Sequence, residues 1–178
     1  MTPAGVAVEA LDADGLRRDR DALAALLTDA VDSGASIGFL PPLGPGEAAA
    51  YWDSVAAAIR EGSRVLLVAR RPPEGLVGAV QLDLAMRANG RHRAEVIRLM
   101  VHRAARRHGL GRALMLAVEA EAARLGRTTL VLDTRQGDPS ETLYRGLGWT
   151  LAGTIPRYAR SADGALHTTA LYYKLLPA

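Results

Sequence analysis

Apolar residues along this chain recur at two periods, and each change of period marks a new element. Residues 6–11 alternate weakly and predict a first strand. Over residues 14–33, Leu16, Leu23, Leu26, Leu27, Ala30 and Val31 fall on one helical face, which predicts a single amphipathic helix stopped by Gly34. Residues 37–46 are rich in Pro and Gly and read as a loop, after which a second helix over 46–61 puts Trp52, Val55, Ala56 and Ile59 on one face. Strand-like runs at 64–70 and 76–85 flank Arg71-Pro72-Pro73-Glu74-Gly75 and predict an antiparallel hairpin.

The Asn89-Gly90 turn leads into a strand over 94–101. Helical spacing resumes at Leu110, Ala113, Leu114, Ala117, Val118, Ala122 and Leu125 and stops at Gly126. Residues 128–134 predict a short strand, parallel to the one before because a helix joins the two. A short helix over 140–147 precedes two strands, 149–159 and 166–176, turned at Asp163-Gly164. The order β-α-α-β-β-β-α-β-α-β-β predicts an α/β fold, a mixed sheet with helices on both faces.

At 178 residues the chain has the size of one domain, so residues 1–178 are expected to form one unit. Its apolar runs fall far short of the roughly 20 residues a membrane span needs. The first nine residues lack a basic segment followed by an apolar one, so no secretory signal is read and a cytoplasmic location is expected. There is no cysteine, which removes disulfides, thiolate metal ligands and a cysteine nucleophile together. His92, His108 and His167 are too dispersed to predict a metal site.

The net charge of +3 comes almost wholly from arginine, and the densest group, Arg103, Arg106, Arg107, His108 and Arg112, surrounds one glycine turn. A local phosphate site fits this better than a nucleic-acid surface. The chain has two Trp, five Tyr and one Phe, too few for a stacking platform. In Arg106-Arg107-His108-Gly109-Leu110-Gly111-Arg112, the glycines allow close backbone approach and the amides of the first helical turn favour an anion. Dinucleotide and P-loop spacings are both absent, and glycines that serve only the turn are the alternative. Glu95 alternates with Ile97, Leu99 and Val101 and is expected on their face, with Arg98 on the opposite one as a solvated residue or salt-bridge partner in preference to a substrate contact. A carboxylate among apolar groups suits a general base; one facing solvent at a strand end does not.

Arg-x-x-Gly-x-Gly after a strand resembles motif A of the GNAT superfamily of N-acetyltransferases, over about residues 76–175. The resemblance implies a mixed, mostly antiparallel twisted sheet with a splayed parallel strand pair, an acetyl-coenzyme A core at about 76–150, and no metal. It implies that Leu99, Met100 and Val101 pair with the pantetheine arm and that residues Arg106, Arg107, His108, Gly109, Leu110, Gly111 and Arg112 hold the pyrophosphate. Glu95, eleven residues before Arg106, matches the general base of the histone-acetylating branch. Asp133 would deprotonate the amine, hold the ammonium, or cap a turn. Tyr144, in Leu143-Tyr144-Arg145-Gly146-Leu147-Gly148-Trp149, is similar to motif B, whose tyrosine protonates the departing thiolate; a packed aromatic is the alternative. The family often has Asn seven residues before this tyrosine, where this chain has Gly137, so that contact is expected to be lost or to move to Ser140.

Further segments look like the tabtoxin-resistance branch of the superfamily: Gly34-Ala35-Ser36-Ile37-Gly38-Phe39, His92-Arg93-Ala94-Glu95-Val96, Leu132-Asp133-Thr134 and Asp163-Gly164-x-Leu166-His167. This implies a small-molecule amine acceptor, an amino acid or an antibiotic, meeting Glu95 and Asp133, with Phe39 and Tyr51 lining its pocket. Trp52 is read as helix packing. Nucleic-acid and membrane partners are not expected, and a homodimer is left open. A coenzyme A sensor without turnover, or a protein acetyltransferase, are the competing readings.

Overall fold

The computed structural model describes residues 3–177; Met1 and Thr2, at the head of the segment read as no secretory signal, lie outside them. Seven strands form one sheet: β1 (Ala7–Leu11), β2 (Arg64–Arg71), β3 (Gly75–Leu84), β4 (Arg93–Val101), β5 (Thr129–Arg135), β6 (Thr150–Arg160) and β7 (Leu166–Leu175). Their order across the sheet is β1-β2-β3-β4-β5-β7-β6, so β7 inserts between β5 and the edge strand β6. Every neighbouring pair is antiparallel except β4 and β5.

Five helices cover the two faces: α1 (Ala13–Arg18), α2 (Arg20–Asp32), α3 (Pro45–Arg60), α4 (Leu110–Arg124) and α5 (Ser140–Gly146). On one face Leu16, Leu23, Leu27, Trp52 and Val55 of α1 to α3 bury against Leu66, Val68, Ala79 and Met100 of the sheet. On the other, Leu110, Leu114, Met115 and Val118 of α4 join Tyr144 and Leu147 against Val80, Leu82, Ala94, Val96, Leu130 and Leu132. The predicted periodicities are thus the packing stripes of a two-sided core.

The expected single helix over 14–33 is two helices. Its ladder runs on through the junction, with Asp19 N–H donating to Gly15 C=O and Leu23 N–H to Asp19 C=O. At the junction Asp19 turns its carboxylate to Arg70 of β2, which also binds Glu9 of β1. The apolar spacing carries across the kink, which is why periodicity does not reveal it. Asp12 caps α1, its Oδ1 accepting from Gly15 N–H at 2.6 Å.

Between β3 and β4 the register slips. Gln81 faces Ile97 and Ala79 faces Met100, which leaves Val80 opposite both Arg98 and Leu99, with Arg98 at φ 50°. Such a bulge reverses the alternation of side chains beyond it. No helix among the described residues is long and apolar enough to cross a membrane.

Leu114 is fully buried where α4 crosses the sheet, and it sits so close to Gly78 that a Cβ there would lie 3.0 Å from its Cδ1. Leu114→Ala is expected to cost about 2–5 kcal/mol, read from the urea midpoint at constant m-value.

Candidate active site

The parallel pair β4–β5 holds together for three residues only: Arg93 with Thr129, Ala94 with Leu130 and Glu95 with Val131. Beyond Glu95 the strands separate, and the β5-facing edge of Leu99, Met100 and Val101 has no strand beside it. The bulge lies inside this open stretch. A cleft of about 710 Å³ follows that edge to the turn before α4, between Ser33 to Ala35 after α2 and Pro139, Ser140 and Leu143 around α5.

At the end of the cleft, Arg107 (φ 64°) and Gly109 (φ 77°) curl the backbone into the left-handed region. The first hydrogen bond of the helix start runs from Ala113 N–H to Gly109 C=O, so the amides of Leu110, Gly111 and Arg112 leave the N-terminus of α4 unpaired. Unpaired amides of this kind, at the positive end of a helix dipole, favour negative charge. Gly111 has a second reason: a Cβ there would lie 3.3 Å from Leu143 of α5. Arg107, Gly109, Leu110, Gly111 and Arg112 all border the cleft. Arg106 does too, but its Nε donates to Val101 C=O at 3.0 Å and its Nη2 to Ser33 Oγ at 2.6 Å, so it ties the end of β4 to α2. His108 turns back toward Ala105 C=O at 3.4 Å and does not border the cleft.

A second cavity, about 370 Å³, fills the splay itself and is bordered by Glu95, Arg98, Asp133, Ser140 and Tyr144. It shares Ala35, Leu99, Asp138 and Ser140 with the cleft, so the two are continuous. Glu95 is half-buried. Burial, and then the neighbouring carboxylates Asp133 and Asp83, raise its pKa above the ordinary glutamate value, against the opposing pull of Arg64 and Arg98. Asp133 is exposed and accepts from Thr169 Oγ1 at 3.0 Å. Tyr144 lies against Trp149 and Tyr172, with ring centroids 6.3 Å and 6.0 Å away. Burial pushes its hydroxyl up to about 12, although a hydrogen bond with Ser140 works the other way. Ser140 Oγ in turn lies 2.9 Å from Thr134 Oγ1 at the end of β5.

The position expected to matter for its missing Asn, Gly137, has φ 84°, and its N–H donates to Glu141 Oε1 at 2.6 Å. Glu141 also accepts from Arg145 and from the buried Tyr172 hydroxyl, which anchors α5 and therefore Tyr144.

Three expectations about side chains, for Glu95, Arg98 and Tyr51, need correction. Glu95 does not share a face with Leu99 and Val101, because the bulge intervenes. Leu99 and Val101 pack toward α4 with Ala94 and Val96. Glu95 and Ile97, opposite Asp83 and Gln81, look toward α3, where Met100 also packs. Arg98 is therefore not a solvated residue of the opposite face: its guanidinium lies 4.6 Å from the centroid of Tyr51 and 5.4 Å from that of Phe39. Tyr51 sits beneath it, its hydroxyl accepting from Gln81 Nε2 at 2.7 Å, and it borders none of the cavities around the splay. Phe39 borders a third cavity, about 590 Å³, between the 34–41 loop and the β6–β7 hairpin. Arg64, Asp83, Tyr158 and Arg135 also stand near the site and carry no signal in the sequence, whereas Arg98 was visible but assigned to the wrong surroundings. A lone arginine within an apolar strand was the one signal available, and it identifies no bulge.

The model of the acetyltransferase (GNAT) family matches residues 25–149. The chain belongs to that family. Solved structures share the fold from end to end. A ribosomal-protein-alanine N-acetyltransferase from Brucella melitensis has a TM-score of 0.79 at 23% identity, over 96% of this chain and 99% of that one. A putative acetyltransferase from Salmonella typhimurium, solved with its cofactor acetyl-CoA, has a TM-score of 0.78 at 22% identity over 97% and 95%. A phosphinothricin acetyltransferase from Sinorhizobium meliloti in complex with AcCoA has a TM-score of 0.79 at 19% identity over 97% and 89%. As in the expected GNAT architecture, the sheet is mostly antiparallel with one parallel pair that splays. Among the described residues no group of three or more His, Asp or Glu is placed to hold a metal ion.

The raised pKa of Glu95 carries a stability consequence with a definite sign. The unfolded chain ionises this carboxyl first, so its effect is absent below about pH 4, under the unfolded value, and opposes folding as pH rises through the folded value. Glu95→Gln is expected to raise Tm at pH 7 and to lose that advantage at pH 3.5 or so. Asp133→Asn, by removing a like charge, is expected to lower the Glu95 pKa in a carboxyl carbon NMR titration.

Proposed function

We propose that this chain is one catalytic domain that transfers an acetyl group from acetyl-coenzyme A to the primary amine of a small molecule, by direct attack in a ternary complex. The observation that carries the reading is that Glu95, Asp133 and Tyr144 border one cavity at the splay, continuous with the cleft that ends on the α4 turn. A binder without turnover needs none of the three.

The unpaired amides of Leu110, Gly111 and Arg112 would hold the pyrophosphate, with Arg107 and Arg112 adding charge-assisted bonds. Leu99, Met100 and Val101 offer their free strand edge to the pantetheine amides. When bound, acetyl-coenzyme A supplies an acyl thioester at the splay. Amides of the bulged strand polarise its carbonyl oxygen, since the bulge leaves backbone groups without a ladder partner.

Glu95 accepts a proton from the incoming ammonium, directly or through water, and Asp133 holds the ammonium near it. Its raised pKa brings Glu95 closer to neutrality than an exposed glutamate, which is where a general base works best. Tyr144 keeps its proton at neutral pH and delivers it to the sulfur as the thiolate leaves. No side chain becomes acylated. The segments that look like the tabtoxin-resistance branch support a small amino-acid-like or antibiotic acceptor. A cytoplasmic role fits an acceptor of this kind, and a homodimer is left open.

Tyr144→Phe is expected to lower turnover about a hundredfold or more while coenzyme A affinity changes little. The check is thiol release on mixing acetyl-coenzyme A with a panel of amines that includes β-lactam amino acids. Unchanged turnover would remove Tyr144 as the acid, and silence with every amine alongside retained coenzyme A binding would favour a sensor.

A further inference from the structure

Two arginines beside the splay have no carboxylate partner among the described residues. Arg98 follows Glu95 along β4 and Arg135 follows Asp133 along β5, at the same open end because the strands run parallel. Neither forms a side-chain hydrogen bond or ion pair with a described residue, and the Nε of each is buried without a partner. By contrast Arg64, Arg70, Arg71, Arg103, Arg124 and Arg145 all meet carboxylates.

The guanidinium of Arg98 is fixed by its neighbours. Its Cζ lies over the Tyr51 and Phe39 rings, and no described side chain accepts from its N–H groups. Its Nη2 lies where a Cβ on Gly38 would come within 3.2 Å, and both residues border the cavity that holds Glu95. Arg135 borders the adjoining cavity, which shares Ala35, Ser36, Gly38 and Ala159 with it. The acids of that adjoining cavity, Asp32 and Asp163, are exposed, and Asp163 is engaged by Ala165 N–H in the hairpin. Arg160, also there, donates to Gly164 C=O.

The spacing suits one kind of molecule. Asp133 and Arg135 are two residues apart on one face of β5, and Thr169 across from Arg135 binds Asp133 from that face. Strand geometry puts their Cα atoms about 6.7 Å apart, close to the reach of an α-ammonium and its carboxylate with a hydrogen bond at each end. Opposite charges at that separation read a zwitterion, whereas a simple amine would leave Arg135 without an anion to meet.

We infer that Arg135 and Arg98 form a carboxylate subsite, so that the acceptor is a free amino acid or a compound with an amino-acid head. The inference rests on the acyl-transfer reading of the site and adds which amines the site selects. Glu95 and Asp133 take the ammonium and the arginines take the carboxylate, which aims the amine at the splay.

The test compares free amino acids with their own carboxamides as acceptors, by thiol release with the wild-type chain. The acids are expected to exceed the amides in kcat/KM by about ten- to a hundredfold, as for a charge-assisted bond lost. Arg135→Met is expected to remove that preference by lowering kcat/KM for the acid alone. Equal use of acid and amide by wild type, or an equal fall for both in Arg135→Met of unchanged Tm, would overturn the subsite. A second measurement does not need turnover: the Nε–Hε NMR signals of Arg98 and Arg135 should shift with an N-acetyl amino acid and stay still with its amide. Absence of a shift overturns the subsite, while a shift without thiol release in any assay overturns the acyl-transfer reading and leaves the subsite standing.

Discussion

The site depends on a sheet that begins to zip and then stops. β4 and β5 pair for three residues and then part. A parallel ladder would ordinarily continue, because each buried backbone amide without a partner costs free energy. The bulge at Arg98 and Leu99 twists β4 away from β5 and spends one residue out of register. The freed edge is tolerable because it borders a cleft where water or a ligand can answer it. Around that edge, α5 is anchored by the buried Glu141–Tyr172 contact, and Arg106 ties the end of β4 to α2, so the gap is braced on both sides.

The same splay controls the electrostatics. Glu95 sits at the last paired residue, deep enough for burial to raise its pKa and close enough to Asp133 and Asp83 for their charges to add to it. Tyr144, opposite, is buried more completely and keeps its proton. A carboxyl raised above its ordinary value and a phenol that keeps its proton at physiological pH therefore face each other across the same gap. The arginines stand on the same two strands farther along, so a single gap separates groups that favour an ammonium from groups that favour an anion.

Legibility in the sequence varied with the range of the interactions involved. The α4 turn was plain because its chemistry lies within seven consecutive residues, where glycines and a following helical period fix both conformation and dipole. Glu95 and Tyr144 were singled out through spacing that resembles a family and Asp133 through its place at the end of the next strand, and the three border one cavity. The break at Asp19 was hidden because the apolar spacing runs through it, while the contact made there comes from Arg70, distant in sequence. Arg98 was misassigned, since a bulge is a mismatch between two strands and neither strand alone records it. Tyr51 was taken for a lining residue and proves to be the platform beneath Arg98.

By itself the sequence determined what local chemistry can specify: the period of each element, the parallel crossover, the phosphate-seeking turn and the residue types able to move protons. The tertiary structure alone decided where the β4–β5 ladder stops and which face each β4 side chain takes after the bulge. It also decided which arginines are left without a carboxylate. These are properties of register and of pairing between distant segments, so they exist only once the strands have met, and a one-residue slip is enough to place Arg98 over Tyr51 and Phe39 instead of in solvent.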